Sequence, residues 1–109
     1  MKKYYNNIIP VKGFAAVNLF GVLFIRNGVI LTDRIVNHEE IHTAQMREML
    51  YVLFYIWYGV EWIFKLFKYG LKGAYHNISF EREAYLNDND LKYLEKRKMF
   101  AWLKFYLNY

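Results

Sequence analysis

The chain has no cysteine, one proline and no apolar run long enough to cross a bilayer. Without cysteine, disulfides and thiolate-held metals are excluded, so any metal must be held by His, Asp or Glu. The longest uncharged stretch in its middle, residues 49–60, has twelve residues, and reading on through Glu61 to Phe64 gives 16. A spanning helix needs about 20. Nucleic-acid-binding motifs are also missing, so the net charge of +5 points away from DNA or RNA. The lysines of residues 91–109 and the cluster Lys65, Lys68 and Lys72 read as solvated helix faces or as contacts to an anionic membrane surface.

Aromatic residues are plentiful: eleven Tyr, nine Phe and three Trp in 109 residues. Such a composition predicts an aromatic core, a large exposed apolar patch or membrane contact. The length fits one domain, residues 1–109. The apolar segment Phe14–Ile25 is broken by Asn18 and ends in a turn signal, so it reads as part of the fold and not as a leader.

Asn27-Gly28, flanked by β-branched and aromatic residues, predicts a type I′ hairpin over residues 21–33. Asp33 offers the N-cap of a first long helix, which the apolar spacing carries past Met49 to Ile56. Asn77 or Ser79 can cap a second major helix beginning ISFEREAYL. Leu91, Leu94, Phe100, Leu103 and Leu107 predict a final amphipathic helix with its basic residues outside. The expected fold is α+β, a β-hairpin followed by three to four helices.

The chemistry is concentrated in NHEEIHTAQMREM, residues 37–49. His38 and His42, four apart, project from consecutive turns and can give two imidazole nitrogens to one Zn²⁺. Glu39 then stands beside the metal-bound water as its base. Random placement of three His and seven Glu gives this pattern about once in 300 chains of this size. A third ligand is sought in YHNISFEREAY, residues 75–85. Glu81 and Glu83 lie about 200° apart on a helix, so only one can face the metal. His76 reads as a third His ligand, a donor to the oxyanion or a plain loop histidine.

These motifs resemble the gluzincin metallopeptidases, in which an HExxH helix is followed by a helix carrying a Glu ligand. The run Glu81-Arg82-Glu83-Ala84-Tyr85 is similar to their Glu-x-x-Ala-Asp pattern and to the Glu-x-Glu-Ala run of ImmA/IrrE-type peptidases. The likeness covers about residues 21–90 and implies a pared-down zincin core similar to the minigluzincins. Matching Ala84 places the ligand at Glu81. Where the pattern has an Asp that supports a zinc-bound His, this chain has Tyr85, so that support is unaccounted for.

The resemblance implies a Zn²⁺ held by His38, His42 and Glu81 and a peptide or protein substrate cleaved with Glu39 as base. His76, Tyr75 and Arg82 are candidate transition-state helpers. The alternative is a non-catalytic zinc-binding or membrane-associated module. The expected location is cytoplasmic, and peripheral membrane contact is compatible with the site. A single transmembrane helix between residues 49 and 68 is not, because it would put the histidines and Glu81 on opposite sides of a bilayer. If Glu81 is a ligand, the 39 residues separating it from His42 must double back. The predicted reversal is at Tyr58-Gly59.

Overall fold

A computed structural model describes residues 1–10 and 12–107 of the chain. The fold is α+β: a small three-stranded sheet followed by helices. The strands are β1 (Lys3–Asn6), β2 (Ala16–Leu19) and β3 (Val22–Arg26), in the order β1-β3-β2. The β1 strand runs parallel to β3, and β2 pairs antiparallel with it.

The hairpin lies one strand earlier than the sequence suggests. Its two-residue turn is Phe20-Gly21, with φ of 53° and 87°, the double positive φ that a type I′ turn requires. Phe20 tolerates this conformation because its ring packs on Tyr55 at 5.1 Å and its N–H donates to the Tyr55 hydroxyl. At Asn27-Gly28 only Gly28 has positive φ, the pattern of a type II turn. That turn sends the chain away from the sheet and into the first helix.

Helix α1 (Asp33–Glu48) is capped by Thr32, whose hydroxyl accepts from Ile35 N–H. Asp33 stands in the first turn, where its charge suits the macrodipole. The helix stops at Met49, earlier than the apolar spacing implies. Leu50 N–H donates to Arg47 O and Tyr51 N–H to Met46 O, the paired bonds of a Schellman motif. Its left-handed residue is Leu50, φ 54°, in a position usually held by glycine.

The reversal therefore falls at Leu50-Tyr51. There α1 and α2 (Val52–Asn77) meet at 108°. Gly59 lies inside α2, and the second break is at Gly70, where φ is 76°.

Helix α3 (Ser79–Asn87) has no side-chain cap of its own. Neither Asn77 nor Ser79 serves. Instead the buried Glu61 carboxylate reaches across from α2 and accepts from Ser79 N–H and Oγ, both at 2.6 Å. The expected final helix is broken into α4 (Tyr93–Lys96) and α5 (Leu103–Leu107), which gives five helical segments in place of three to four. The Leu107 side chain lies outside the described residues.

Arg97 causes that break. It turns inward to the carboxylates of Glu83 and Glu48, so the side chain of one of the basic residues expected outside is only 6% exposed. Phe100, at φ 57°, donates its N–H to Glu48. The core is aromatic, as the composition implies: Phe54 packs on Phe80 at 4.6 Å, and Phe80 on Trp102 at 4.7 Å.

Candidate metal centre

Helix α1 presents His38 and His42 on one inward face, and α3 brings Glu81 to them. Their side-chain donors form a nearly equilateral triangle. His38 Nε2 and His42 Nε2 are 3.1 Å apart, and Glu81 Oε1 lies 3.2 Å from the first and 3.0 Å from the second. Tetrahedral ligands about 2.05 Å from zinc stand about 3.3 Å from one another. The three sides fall within a few tenths of an ångström of that edge.

The outer nitrogens of both rings are occupied. Asp88 Oδ2 lies 3.0 Å from His38 Nδ1 and can only accept, so that nitrogen carries the proton. Gln45 Oε1 lies 2.8 Å from His42 Nδ1. The Gln45 amide nitrogen is fixed as a donor by Phe80 O and Glu83 Oε1, both at 3.0 Å, so Oε1 accepts and His42 Nδ1 is protonated too. In the neutral rings each Nε2 is then a bare lone pair. Two lone pairs and a carboxylate oxygen face one another, all on buried side chains. Such a group is suited to a cation at its centre, a proton or a metal ion. His38, His42 and Glu81 form a buried group that could hold a metal ion.

The electrostatics favour positive charge there. Burial opposes a charged His42, but the neighbouring Glu81 carboxylate outweighs it, with help from Glu39 and Gln45, and raises the ring to about 9. Burial likewise pushes Glu81 up, but His42 and the hydrogen bonds from His38, His42 and Tyr58 bring it well below the usual carboxylate range.

Glu83 is not in the triangle. It is fully buried on the other side of α3, held by Gln45, Tyr93 and Arg97. Its part is indirect: it orients Gln45, which orients His42. The support that Tyr85 cannot give comes from Asp88, two helical turns beyond Glu81. The other oxygen of Asp88 accepts from Arg34 Nε at 2.7 Å. Tyr85 instead meets the His38 ring edge to face, 4.6 Å between centroids.

Two cavities adjoin the cluster. One, of about 230 Å³, is lined by Glu39, His42, Glu81, Tyr58, Tyr75 and edge strand β2. The other, of about 540 Å³, is lined by His38, Asp88 and Tyr85, and shares Glu39 and Tyr75 with the first. Burial raises the Glu39 carboxyl above its ordinary value, although His42, His38 and Asn18 pull it back.

Among the three proposed helpers, only Tyr75 lines these cavities. His76 is exposed and makes ring contacts with Tyr75 and Tyr85. Arg82 donates to Phe105 O at 2.9 Å. Tyr58 had no sequence signal, yet its hydroxyl donates to Glu81 Oε2 at 2.7 Å, leaving Oε1 to face the histidines.

The chain matches no protein-family model, no curated protein and no solved structure. What this centre does must be argued from its geometry.

Proposed function

We propose that this chain is a zinc-dependent metallopeptidase built on a pared-down gluzincin core. The observation that carries the reading is the triangle of His38, His42 and Glu81, with both outer imidazole nitrogens tied so that the lone pairs converge. Bound there, zinc would supply Lewis acidity, polarising a carbonyl and lowering the pKa of water towards about 7.

The rest falls to the chain. Glu39 lines both cavities beside the cluster, and its carboxylate accepts a proton from the attacking water and passes it to the leaving amine. Tyr75 donates its hydroxyl to the carbonyl oxygen as charge gathers there. Edge strand β2 holds an extended peptide by strand addition, laying it along the smaller cavity. Asp88 and Gln45 keep the two rings in the tautomer that presents Nε2.

A second reading keeps the metal and drops the chemistry. The burial of all three donors, 4–7% exposed, is what favours it, because structural sites are closed. Glu39→Gln separates the two. The peptidase reading predicts that this variant retains one zinc per chain and loses cleavage of unfolded protein substrates by at least about a hundredfold. Cleavage by the variant at the wild-type rate refutes the role of Glu39. A zinc-loaded wild type that cleaves nothing supports the structural reading.

A further inference from the structure

Helix α2 is turned the wrong way for a helix surrounded by water. From Val52 to Phe67 its outward arc is apolar throughout: Leu53, Ile56, Val60, Ile63, Phe64 and Phe67 are all about half exposed or more, Phe64 at 72% and Phe67 at 87%. The charged residues of that stretch, Glu61 and Lys65, are turned inward, where Lys65 donates to Glu61 at 2.7 Å. Exposed apolar residues scattered singly need no explanation, but a contiguous stripe four turns long does. It continues into a mostly apolar groove of about 620 Å³ between α2 and Tyr106 of α5, whose inner wall holds the paired Glu61 and Lys65.

Charge selects the occupant. Lys68, Lys72 and Lys104 stand exposed on α2 and α5. Neither α2 nor residues 98–107 carries an acidic side chain except the buried Glu61. A second copy docked on this face would offer these lysines no exposed acidic side chain from α2 or residues 98–107. An anionic lipid surface supplies the missing charge as well as the apolar medium.

We propose that the outward face of α2 lies in the interface of an anionic bilayer, with the helix parallel to the surface and these lysines among the headgroups. The opposite face of α2 carries Phe54 and Tyr58, which pack on Phe80 and reach Glu81. The helix therefore lies on the membrane and does not cross it. The metal centre is held about one helix diameter, ~10 Å, from the lipid. This inference does not depend on the metal or on catalysis.

The test is co-sedimentation of the full chain with vesicles of phosphatidylcholine alone, and with vesicles containing phosphatidylglycerol. Binding is expected to the anionic vesicles, to weaken with salt, and to fall at least about tenfold in Phe64→Glu/Phe67→Glu. Lys68→Gln and Lys72→Gln should each cost about fivefold. Brominated lipid should quench the tryptophan fluorescence of the wild type, which tests insertion without any variant. Absence of anionic-vesicle binding, absence of quenching, or undiminished binding by the double variant overturns the proposal. So does a lipid-free dimer that the double variant returns to monomer, which would assign this face to a second copy.

Discussion

Asp88→Asn changes one atom type at a buried position and tests why the two imidazoles point as they do. Asp88 is 3% exposed and accepts from two donors, His38 Nδ1 at 3.0 Å and Arg34 Nε at 2.7 Å. An asparagine has one accepting oxygen for these two positions. If that oxygen faces Arg34, the amide N–H₂ meets Nδ1 and drives the ring proton to Nε2, where it blocks the lone pair aimed at the metal. If it faces His38, Arg34 must leave, and its side chain is 62% exposed and free to do so. In either arrangement the negative charge behind the imidazole is gone.

Loss of such an orienting partner typically weakens metal binding 10–100-fold, about 1.4–2.7 kcal/mol. Arg34→Gln leaves the carboxylate on His38 and removes an ion pair of which only the arginine side is exposed, so it should weaken zinc binding less than Asp88→Asn does. Zinc affinity by chelator competition measures both. The ¹⁵N shifts of the His38 ring report the tautomer, which a merely structural role for Asp88 would not move. If Asp88→Asn binds zinc within about twofold of wild type with its tautomer unchanged, the convergence of lone pairs is not what builds the site.

The metal and the proton compete for the same atoms. With His42 raised from 6.5 to about 9, its pairing with Glu81 stabilises the metal-free fold fully below about pH 6.5 and is lost as pH rises towards 9. The depressed Glu81 contributes above about pH 4.5 and fades only in acid. Zinc needs the ring unprotonated, so the increase in Tm on adding zinc should widen from pH 6 to pH 9; a gap that narrows contradicts this. Glu83→Ala leaves Arg97 beside Glu48 without its second carboxylate and takes one of two acceptors from the Gln45 amide. A loss of about 1–3 kcal/mol in urea unfolding is expected, and a loss below about 0.5 kcal/mol would contradict this role for Glu83. Leu50→Gly should stabilise by about 0.5–1 kcal/mol, since it relieves a left-handed leucine that is 73% exposed. An unchanged urea midpoint would show that Leu50 carries no strain.

The triangle of His38, His42 and Glu81 could be read from the sequence because its parts obey local rules. His38 and His42 lie four apart on one helix, and Glu81 follows from a motif with a fixed offset to Ala84. The elements that position it could not be read so directly. The distance between His42 and Glu81 demands a reversal but does not locate it, and the leucine at position 50 hides a turn usually marked by glycine. Asn27-Gly28 looks like a hairpin, yet β3 pairs backwards with β2, because Phe20 finds Tyr55 to hold its unfavourable backbone. The final helix breaks because Arg97 is drawn inward by Glu48 and Glu83, a contact between residues 49 and 14 positions apart. Asp88 stands two turns beyond Glu81 on the same helix face, so that position carried a signal. Tyr58 carried none, since its place depends on where α1 ends.

Metal analysis of the purified full chain beside Glu81→Ala, each equilibrated with zinc and then desalted, decides whether the triangle holds an ion. About one zinc per wild-type chain is expected, with a large loss in the variant, whose remaining two imidazoles cannot close the triangle. Wild-type protein that retains no divalent metal, or a Glu81→Ala variant that retains as much as wild type, contradicts that expectation.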